Sequence, residues 1–125
     1  MSAIRFTKEH EWVRQEGDIV VIGITDYAQS QLGDVVYVEL PEIGRKVDQG
    51  KEAAVVESAK AASEVYAPIS GEVVAVNDAI VADPAKVNAD AMGEGWFLKV
   101  RLADPKQLDA LMDEQAYEAF VAEQH

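Results

Sequence analysis

The chain has 125 residues, of which 49% are hydrophobic, and we expect residues 1–125 to form a single domain with an apolar core. It contains no long apolar run, which disfavours a membrane span. The net charge of −12, from 23 acidic and 11 basic residues, disfavours binding to nucleic acid and to anionic membranes. The absence of cysteine excludes disulfides and thiolate metal sites.

The first half of the chain predicts two strands with a short helix between them. Asp18–Ile24 is apolar and rich in β-branched side chains, as is typical of a strand. Thr25–Leu32 predicts a helix, because a threonine and an aspartate at its start can cap it and a glycine follows its last residue. Val35–Leu40 predicts a second strand, which a proline stops.

A lysine among small residues is the most informative feature of the middle of the chain. The five small residues around Lys60 are Ser58, Ala59, Ala61, Ala62 and Ser63. Ala53–Val56 predicts a strand before this group, and Val65–Ala67 predicts a strand after it. This pattern is typical of a lysine displayed at the tip of a β-hairpin, where small neighbours leave the ammonium accessible to a modifying enzyme. Pro68 and Gly71 close the unit, and Gly71 is predicted to occupy a turn that β-branched residues adopt poorly.

The second half of the chain predicts two further strands. Gly71–Val76 forms the first of them, and Trp96–Leu102 forms the second, with clean alternation of side chains. The alternation places Trp96 on the face of the aliphatic residues and Phe97 on the opposite face, together with the two basic residues of the strand.

Two C-terminal helices follow these strands. The first is predicted to begin at Pro105, because Asp104 can cap it and proline suits the first helical position. Its predicted inner face consists of Leu108, Leu111 and Met112. The last helix begins near Asp113, and four of its residues are predicted to face inward: Ala116, Tyr117, Phe120 and Val121.

The residue patterns of familiar enzyme sites are poorly matched. The only histidines are His10 and His125, the terminal residue. The serines therefore lack a histidine in a credible catalytic triad. Glu9, His10 and Glu11 are consecutive and point in differing directions, so we expect a solvated polar segment there rather than a metal site. The glycines of Gly93–Gly95 lack the third glycine and the strand–turn–helix context of a dinucleotide site.

Four blocks of sequence carry the strongest functional signal. In chain order they are FTKEHEWV (Phe6–Val13), GITDYAQSQLGDVVYVELPEIG (Gly23–Gly44), ESAKAASEVYAPISGEV (Glu57–Val73) and GEGW (Gly93–Trp96). Together these blocks resemble the motifs of the glycine cleavage system H protein family, over nearly the whole chain. The third block looks like the family's lipoyl-attachment segment. Two departures are visible, since the family usually has valine at the position of Ala59 and often tyrosine at that of Met92.

The resemblance implies a fold and a function. The implied fold is mainly β, a barrel-sandwich hybrid like that of lipoyl and biotinyl carriers, with a short helix in the N-terminal half and C-terminal helices. The implied function is that of a carrier without catalytic activity of its own, which bears lipoic acid as an amide on Lys60. Its arm would take an aminomethyl group from glycine decarboxylase, a pyridoxal phosphate enzyme, and pass it to a tetrahydrofolate-dependent aminomethyltransferase. The FAD enzyme dihydrolipoyl dehydrogenase would then reoxidise the arm.

The resemblance also implies further partners and site residues. A lipoate ligase or a lipoyl/octanoyl transferase would attach the arm. The family shelters the loaded arm in a cleft, and a cationic amine there needs a carboxylate or carbonyl partner. Glu11 is the first candidate for this contact and Glu64 the second. We expect a monomer in the bacterial cytoplasm, or in mitochondria if a presequence was removed.

Three alternatives share the exposed lysine. A lipoyl domain of a 2-oxo acid dehydrogenase acyltransferase would be shorter and would usually carry aspartate just before the lysine, where this chain has Ala59. A biotin carrier would typically have methionines beside the lysine, where this chain has Ala59 and Ala61. A lipoyl-relay or regulatory protein that passes lipoyl groups to other carriers would use the same residues as the main interpretation.

Overall fold

The computed structural model describes residues 4–123, and over this range it consists of nine strands, four α-helices and one 3₁₀ helix. The strands are β1 (Ile4–Phe6), β2 (Glu11–Glu16), β3 (Ile19–Ile24), β4 (Val35–Glu39), β5 (Lys46–Val47), β6 (Glu52–Ser58), β7 (Ala62–Tyr66), β8 (Gly71–Val76) and β9 (Leu98–Leu102). The helices are α1 (Asp26–Leu32), α2 (Asp78–Ala82), α3 (Ala85–Ala89), the 3₁₀ helix (Pro105–Ala110) and α4 (Glu114–Glu123). The prediction of a mainly β protein with a short early helix and C-terminal helices is confirmed.

The strands form two antiparallel sheets that share one core. The larger sheet has the order β1-β2-β3-β9-β8-β5, and the smaller has the order β4-β6-β7. Buried aliphatic residues of both sheets meet between them, including Val13, Ile22 and Val100 from the larger sheet and Val38, Val56 and Val65 from the smaller. β-Branched side chains dominate this layer because they pack well on a pleated surface.

A second apolar cluster lies on the outer face of the larger sheet, beneath α4. The Phe6 and Tyr117 rings stack there with centroids 4.5 Å apart. Trp12 of β2 belongs to the same outer cluster. It is fully buried, and its indole N–H donates a hydrogen bond to the Ala91 carbonyl at 2.9 Å. The C-terminal helix is therefore packed against the N-terminal strands rather than against the shared core.

Three details of the second half differ from the sequence predictions. Phe97 is fully buried in the core between the sheets, whereas Trp96 packs in the outer cluster beside Lys99. The regular alternation begins only within β9, because residues 96 and 97 precede the strand. Ala116 was predicted to face inward and is exposed. The helices α2 and α3 were not predicted, because each is only five residues long and therefore carries little periodic signal.

Gly71 is required for a different reason from the one predicted. It is the first residue of β8 and pairs with both Val47 and Leu102, so it lies within a sheet rather than in a turn. A Cβ at this position would run into the Arg101 carbonyl and the Val100 side chain. Glycine therefore allows the close approach of β8 and β9.

Candidate functional site

Lys60 lies at the tip of the tight hairpin between β6 and β7, as predicted. The hairpin closes where Glu57 pairs with Ala62, and the Ser58 amide donates to the Ala61 carbonyl at 2.8 Å. Lys60 and both of its neighbours are exposed. The two strands thus hold the lysine at a fixed position above the edge of the smaller sheet, with no bulky side chain beside it.

The Ser58 side chain builds this turn from within. Its hydroxyl oxygen accepts hydrogen bonds from the Lys60 amide at 3.2 Å and from the Ala61 amide at 3.1 Å. The same hydroxyl donates to the Ala61 carbonyl at 3.1 Å. A serine hydroxyl that bonds to nearby backbone groups in this way stabilises a tight turn by itself. The tip is therefore ordered although its other residues are small.

A second anchor joins the hairpin to the segment after α1. The Ala59 amide donates to the Asp34 carbonyl at 3.1 Å. Asn88 of α3 fixes that segment on both sides, since its amide nitrogen donates to the Gly33 carbonyl and its amide oxygen accepts from the Val35 amide, both at 2.8 Å. This role of Asn88 was not predicted, because the partners are more than 50 residues apart in the sequence.

The Lys60 stem lies against Gly33, the residue that ends α1. A Cβ built on Gly33 would be 3.4 Å from the Lys60 Cε and 3.7 Å from its Nζ. Gly33 has φ 81° and ψ −156°, a conformation that is essentially restricted to glycine. The glycine therefore ends the helix, and a side chain at this position would be in contact with the lysine stem.

A cleft of about 180 Å³ lies beside Gly33, between α1 and strands β6 and β7. We call it the α1–β7 cleft. The residues that line it are Glu9, His10, Glu11, Ile24, Tyr27, Ala28, Gln31, Leu32, Val56, Ser63, Glu64 and Val65. Glu11 and Glu64, which the resemblance singled out, are thus brought to one cavity although 53 positions separate them in the sequence. The acidic lining suits a cationic ligand, and the aliphatic residues suit its apolar stem.

Glu11 is buried in the wall of the cleft, with only 2% of its surface exposed. One carboxylate oxygen accepts from the Thr7 hydroxyl at 2.7 Å, and the other accepts from the Tyr66 amide at 3.3 Å. Burial raises the pKa of Glu11 from 4.5 to about 7, and the two hydrogen bonds oppose this shift only in part. Near neutral pH the group is therefore close to its titration midpoint, and a cation in the cleft would favour the ionised form.

Glu64 occupies a different environment at the exposed rim of the same cleft. It lies on β7, four residues after Lys60. Its carboxylate raises the pKa of the exposed Tyr66 phenol through a hydrogen bond. A solvated carboxylate at the rim can attract an incoming cation, whereas the buried Glu11 can bind it more tightly once water is excluded.

The corner that contains His10 is organised, and the expectation of a merely solvated polar segment is wrong. The His10 backbone has φ 66°, and its Nδ1 is 2.8 Å from the Tyr117 hydroxyl. Its ring also packs on Tyr27 with centroids 4.6 Å apart. No local signal could have revealed the partner in α4, because 107 positions separate the two residues.

The fold and the exposed lysine on its hairpin define the class of lipoyl-type carriers, built as barrel-sandwich hybrids. A crystal structure of a glycine cleavage system H protein from Mycobacterium marinum superposes with a TM-score of 0.89, at 36% identity, over 96% of this chain and 97% of that one. The sequence model described as Glycine cleavage H-protein matches residues 4–124. The chain therefore belongs to the glycine cleavage H-protein family, which supplies the lipoyl carrier of the glycine cleavage system.

Curated relatives agree with this assignment over almost their full lengths. A glycine cleavage system H protein from Parvibaculum lavamentivorans is 69% identical over 97% of both chains. Another, from Rhodospirillum rubrum, is 64% identical over 98% of both chains. Membership of this family favours the carrier function over the relay alternative, and it implies interaction with the other components of the glycine cleavage system. Over residues 4–123, no helix is long and apolar enough to cross a membrane.

Proposed function

We propose that Lys60 bears the lipoyl group, as an amide between its Nζ and the lipoyl carboxyl. The observation that carries this proposal is the position of Lys60 at an exposed, ordered hairpin tip, with its stem directed along Gly33 beside the α1–β7 cleft. When bound, the lipoyl group supplies the disulfide that accepts the aminomethyl cargo. The chain itself supplies no catalytic group in this proposal. It presents the arm, and tethering raises the effective concentration of the cargo near each enzyme.

The partners of this proposed arm follow from the steps of the glycine cleavage system. Glycine decarboxylase with pyridoxal phosphate loads the cargo, the tetrahydrofolate-dependent aminomethyltransferase removes it, and the FAD enzyme dihydrolipoyl dehydrogenase restores the disulfide. A lipoate ligase or a lipoyl/octanoyl transferase attaches the arm. The acidic surface, with a net charge of −12, suits docking on basic rims of these enzymes. Because the named relatives are bacterial, we propose that the chain acts in the bacterial cytoplasm. We also propose that it is a monomer.

We further propose that the α1–β7 cleft shelters the cargo between enzymes. The cationic amine would enter the cleft, lose its contact with bulk water and stabilise the ionised form of the buried Glu11, whose proton would pass to solvent. Glu64 would act at the rim, where it first meets the amine. Support comes from the acidic lining and from the burial of Glu11, which raises its pKa because desolvation disfavours an uncompensated carboxylate.

The attachment site is tested by peptide mapping. The unmodified protein is incubated with a lipoate–protein ligase, ATP and lipoate, and the adduct is located by mass spectrometry. We expect a single adduct on Lys60, its complete loss in Lys60→Arg, and normal modification of Lys51→Arg, an exposed lysine at the other end of β6. Modification of Lys60→Arg to the wild-type extent would show that the proposed site is wrong.

Sheltering is tested by the rate at which the purified, loaded carrier releases ammonia in the absence of the aminomethyltransferase. A charged hydrogen bond contributes about 1.5–3 kcal/mol, and a glutamine carbonyl keeps part of it, so Glu11→Gln is expected to release ammonia about tenfold faster. Glu64→Gln is expected to have a smaller effect, because the rim is solvated. Equal rates in wild type and both variants would exclude sheltering by these carboxylates, and an effect in Glu64→Gln alone would transfer the role to the rim.

A further inference from the structure

The Tyr117 hydroxyl joins three elements of the fold at one point. It lies 2.8 Å from the His10 Nδ1 and 2.7 Å from the Thr25 hydroxyl. Thr25 is buried and caps α1, because its hydroxyl also accepts from the Ala28 amide at 3.2 Å. A single side chain of α4 thus contacts both the turn before β2 and the start of the helix that forms one wall of the α1–β7 cleft.

His10 is held in a conformation that a residue with a side chain seldom adopts. Its φ of 66° is the only positive value for a residue other than glycine among those that the structure describes. Such a conformation costs about 1 kcal/mol or more and persists only where its surroundings enforce it. Here the contacts that hold His10 include the hydrogen bond to Tyr117 and the one that the Thr25 amide donates to the His10 carbonyl at 2.9 Å.

The constrained residue directly precedes Glu11. The positive φ of His10 closes the turn in which the His10 amide donates to the Thr7 carbonyl at 3.1 Å, and it is followed by the start of β2. Thr7 in turn donates to the Glu11 carboxylate. His10 and Glu11 both line the α1–β7 cleft. The conformation of His10 therefore decides where two lining groups lie.

We propose that α4 belongs to the sheltering site, with Tyr117 as a positioning residue that fixes His10 and thereby the Glu11 carboxylate in the α1–β7 cleft. The inference rests on the proposed sheltering function and assigns to the C-terminal helix a part in it. Tyr117 does not itself line the cleft, so it acts through His10 and Thr25. The Tyr117 ring also stacks on Phe6, and a residue with only a structural role would need no more than this packing.

Tyr117→Phe separates these two roles, because it keeps the ring and removes only the hydroxyl. Tyr37→Phe is the matched control, since Tyr37 is 46% exposed on β4. The first measurement uses the unmodified protein and records amide hydrogen exchange of His10 and Thr25 by NMR. Loss of one hydrogen bond predicts exchange about fivefold faster at these two amides in Tyr117→Phe, while the amides of the shared core and the control variant keep wild-type rates.

The second measurement is ammonia release from the lipoylated, loaded carrier. We expect release about fivefold faster in Tyr117→Phe, normal lipoylation of Lys60, and a Tyr117→Phe/Glu11→Gln double variant no faster than Glu11→Gln alone, because both changes act on one group. A wild-type release rate in Tyr117→Phe, when Glu11→Gln does release faster, would overturn this proposal and leave sheltering intact. Uniformly faster exchange of all core amides would also overturn it. If Glu11→Gln itself has no effect on release, sheltering by Glu11 fails and this extension fails with it.

Discussion

The Lys60 hairpin and the Glu11 corner, residues 7–11, are neighbours in the fold but are built in opposite ways. The hairpin is exposed, and Ser58, only two residues from Lys60, supplies most of its order. At the corner the Glu11 side chain is buried. Apart from the local bond from Thr7, the contacts come from Tyr66, 55 positions from Glu11, and from Tyr117, 107 positions from His10. One region is thus organised by local sequence, and the other by tertiary contacts.

The difference follows from what each region has to do. A lysine that must enter the active sites of several enzymes needs exposure and small neighbours, which short-range hydrogen bonds can provide. A carboxylate that binds a cation tightly must be withdrawn from water, and its desolvation has to be offset by the rest of the fold. The Lys60 hairpin can therefore be altered with little effect on the stability of the fold, whereas changes at the Glu11 corner affect that stability.

The largest expected effect is on the pH dependence of stability, through Glu11. Its pKa is raised from 4.5 to about 7, so the folded state holds a proton that the unfolded state has already lost between these values. The stability of the unmodified wild type should fall as pH rises through this window and level off above about 7. Glu11→Gln has no such proton, so its free energy of unfolding should rise relative to that of wild type by about 2.5 kcal/mol between pH 5 and pH 8.

Urea unfolding of both proteins at several pH values measures this change. Glu42→Gln is the control, because it alters net charge by the same amount at an exposed position outside the α1–β7 cleft. Parallel stability curves for wild type and Glu11→Gln would show that Glu11 is solvated in the folded protein. In that case the contrast between the buried Glu11 carboxylate and the exposed hairpin would be lost.

The next effect concerns Gly33, where the two regions meet. Gly33→Ala forces a side chain into a conformation that costs about 1–3 kcal/mol, and it also places a methyl group against the Lys60 stem. Gly17→Ala is a matched control, since Gly17 also has positive φ, but its added Cβ would meet nothing within 4 Å. We expect both variants to lose stability in thermal unfolding and only Gly33→Ala to be lipoylated more slowly. Equal lipoylation rates would mean that the lysine stem does not depend on the space at Gly33.

The same contrast explains how much could be predicted from the sequence. The hairpin around Lys60 could be located, because strand patterns and small residues are contiguous there. Glu11 was singled out only through the resemblance to a family, since nothing local distinguishes it from the other acidic residues. The contacts of His10 with Tyr117 and of Asn88 with Gly33 depend on how distant elements pack. Such contacts leave no periodic trace in the chain.

The core followed the same rule. The strands β3 and β4 were predicted within one or two residues, because runs of β-branched residues bounded by glycine or proline define them. Phe97 was assigned to the wrong face, since periodicity cannot show where a strand starts. Alternation is reliable only inside an element whose ends are already known.

The smallest expected effect tests the hairpin itself, through Ser58. Ser58→Ala removes the hydroxyl that bonds the Lys60 and Ala61 amides, but water can reach these exposed groups and replace part of the loss. We therefore expect a loss of only about 1 kcal/mol in the free energy of unfolding. Lipoylation at limiting ligase should fall by no more than about fivefold, the factor that corresponds to 1 kcal/mol, because disordered forms of the tip become more populated. Ser63→Ala, at an exposed position on β7, should leave both quantities unchanged. If Ser58→Ala is lipoylated at the wild-type rate, the ligase orders the tip itself, and the exposed region then needs no preformed geometry.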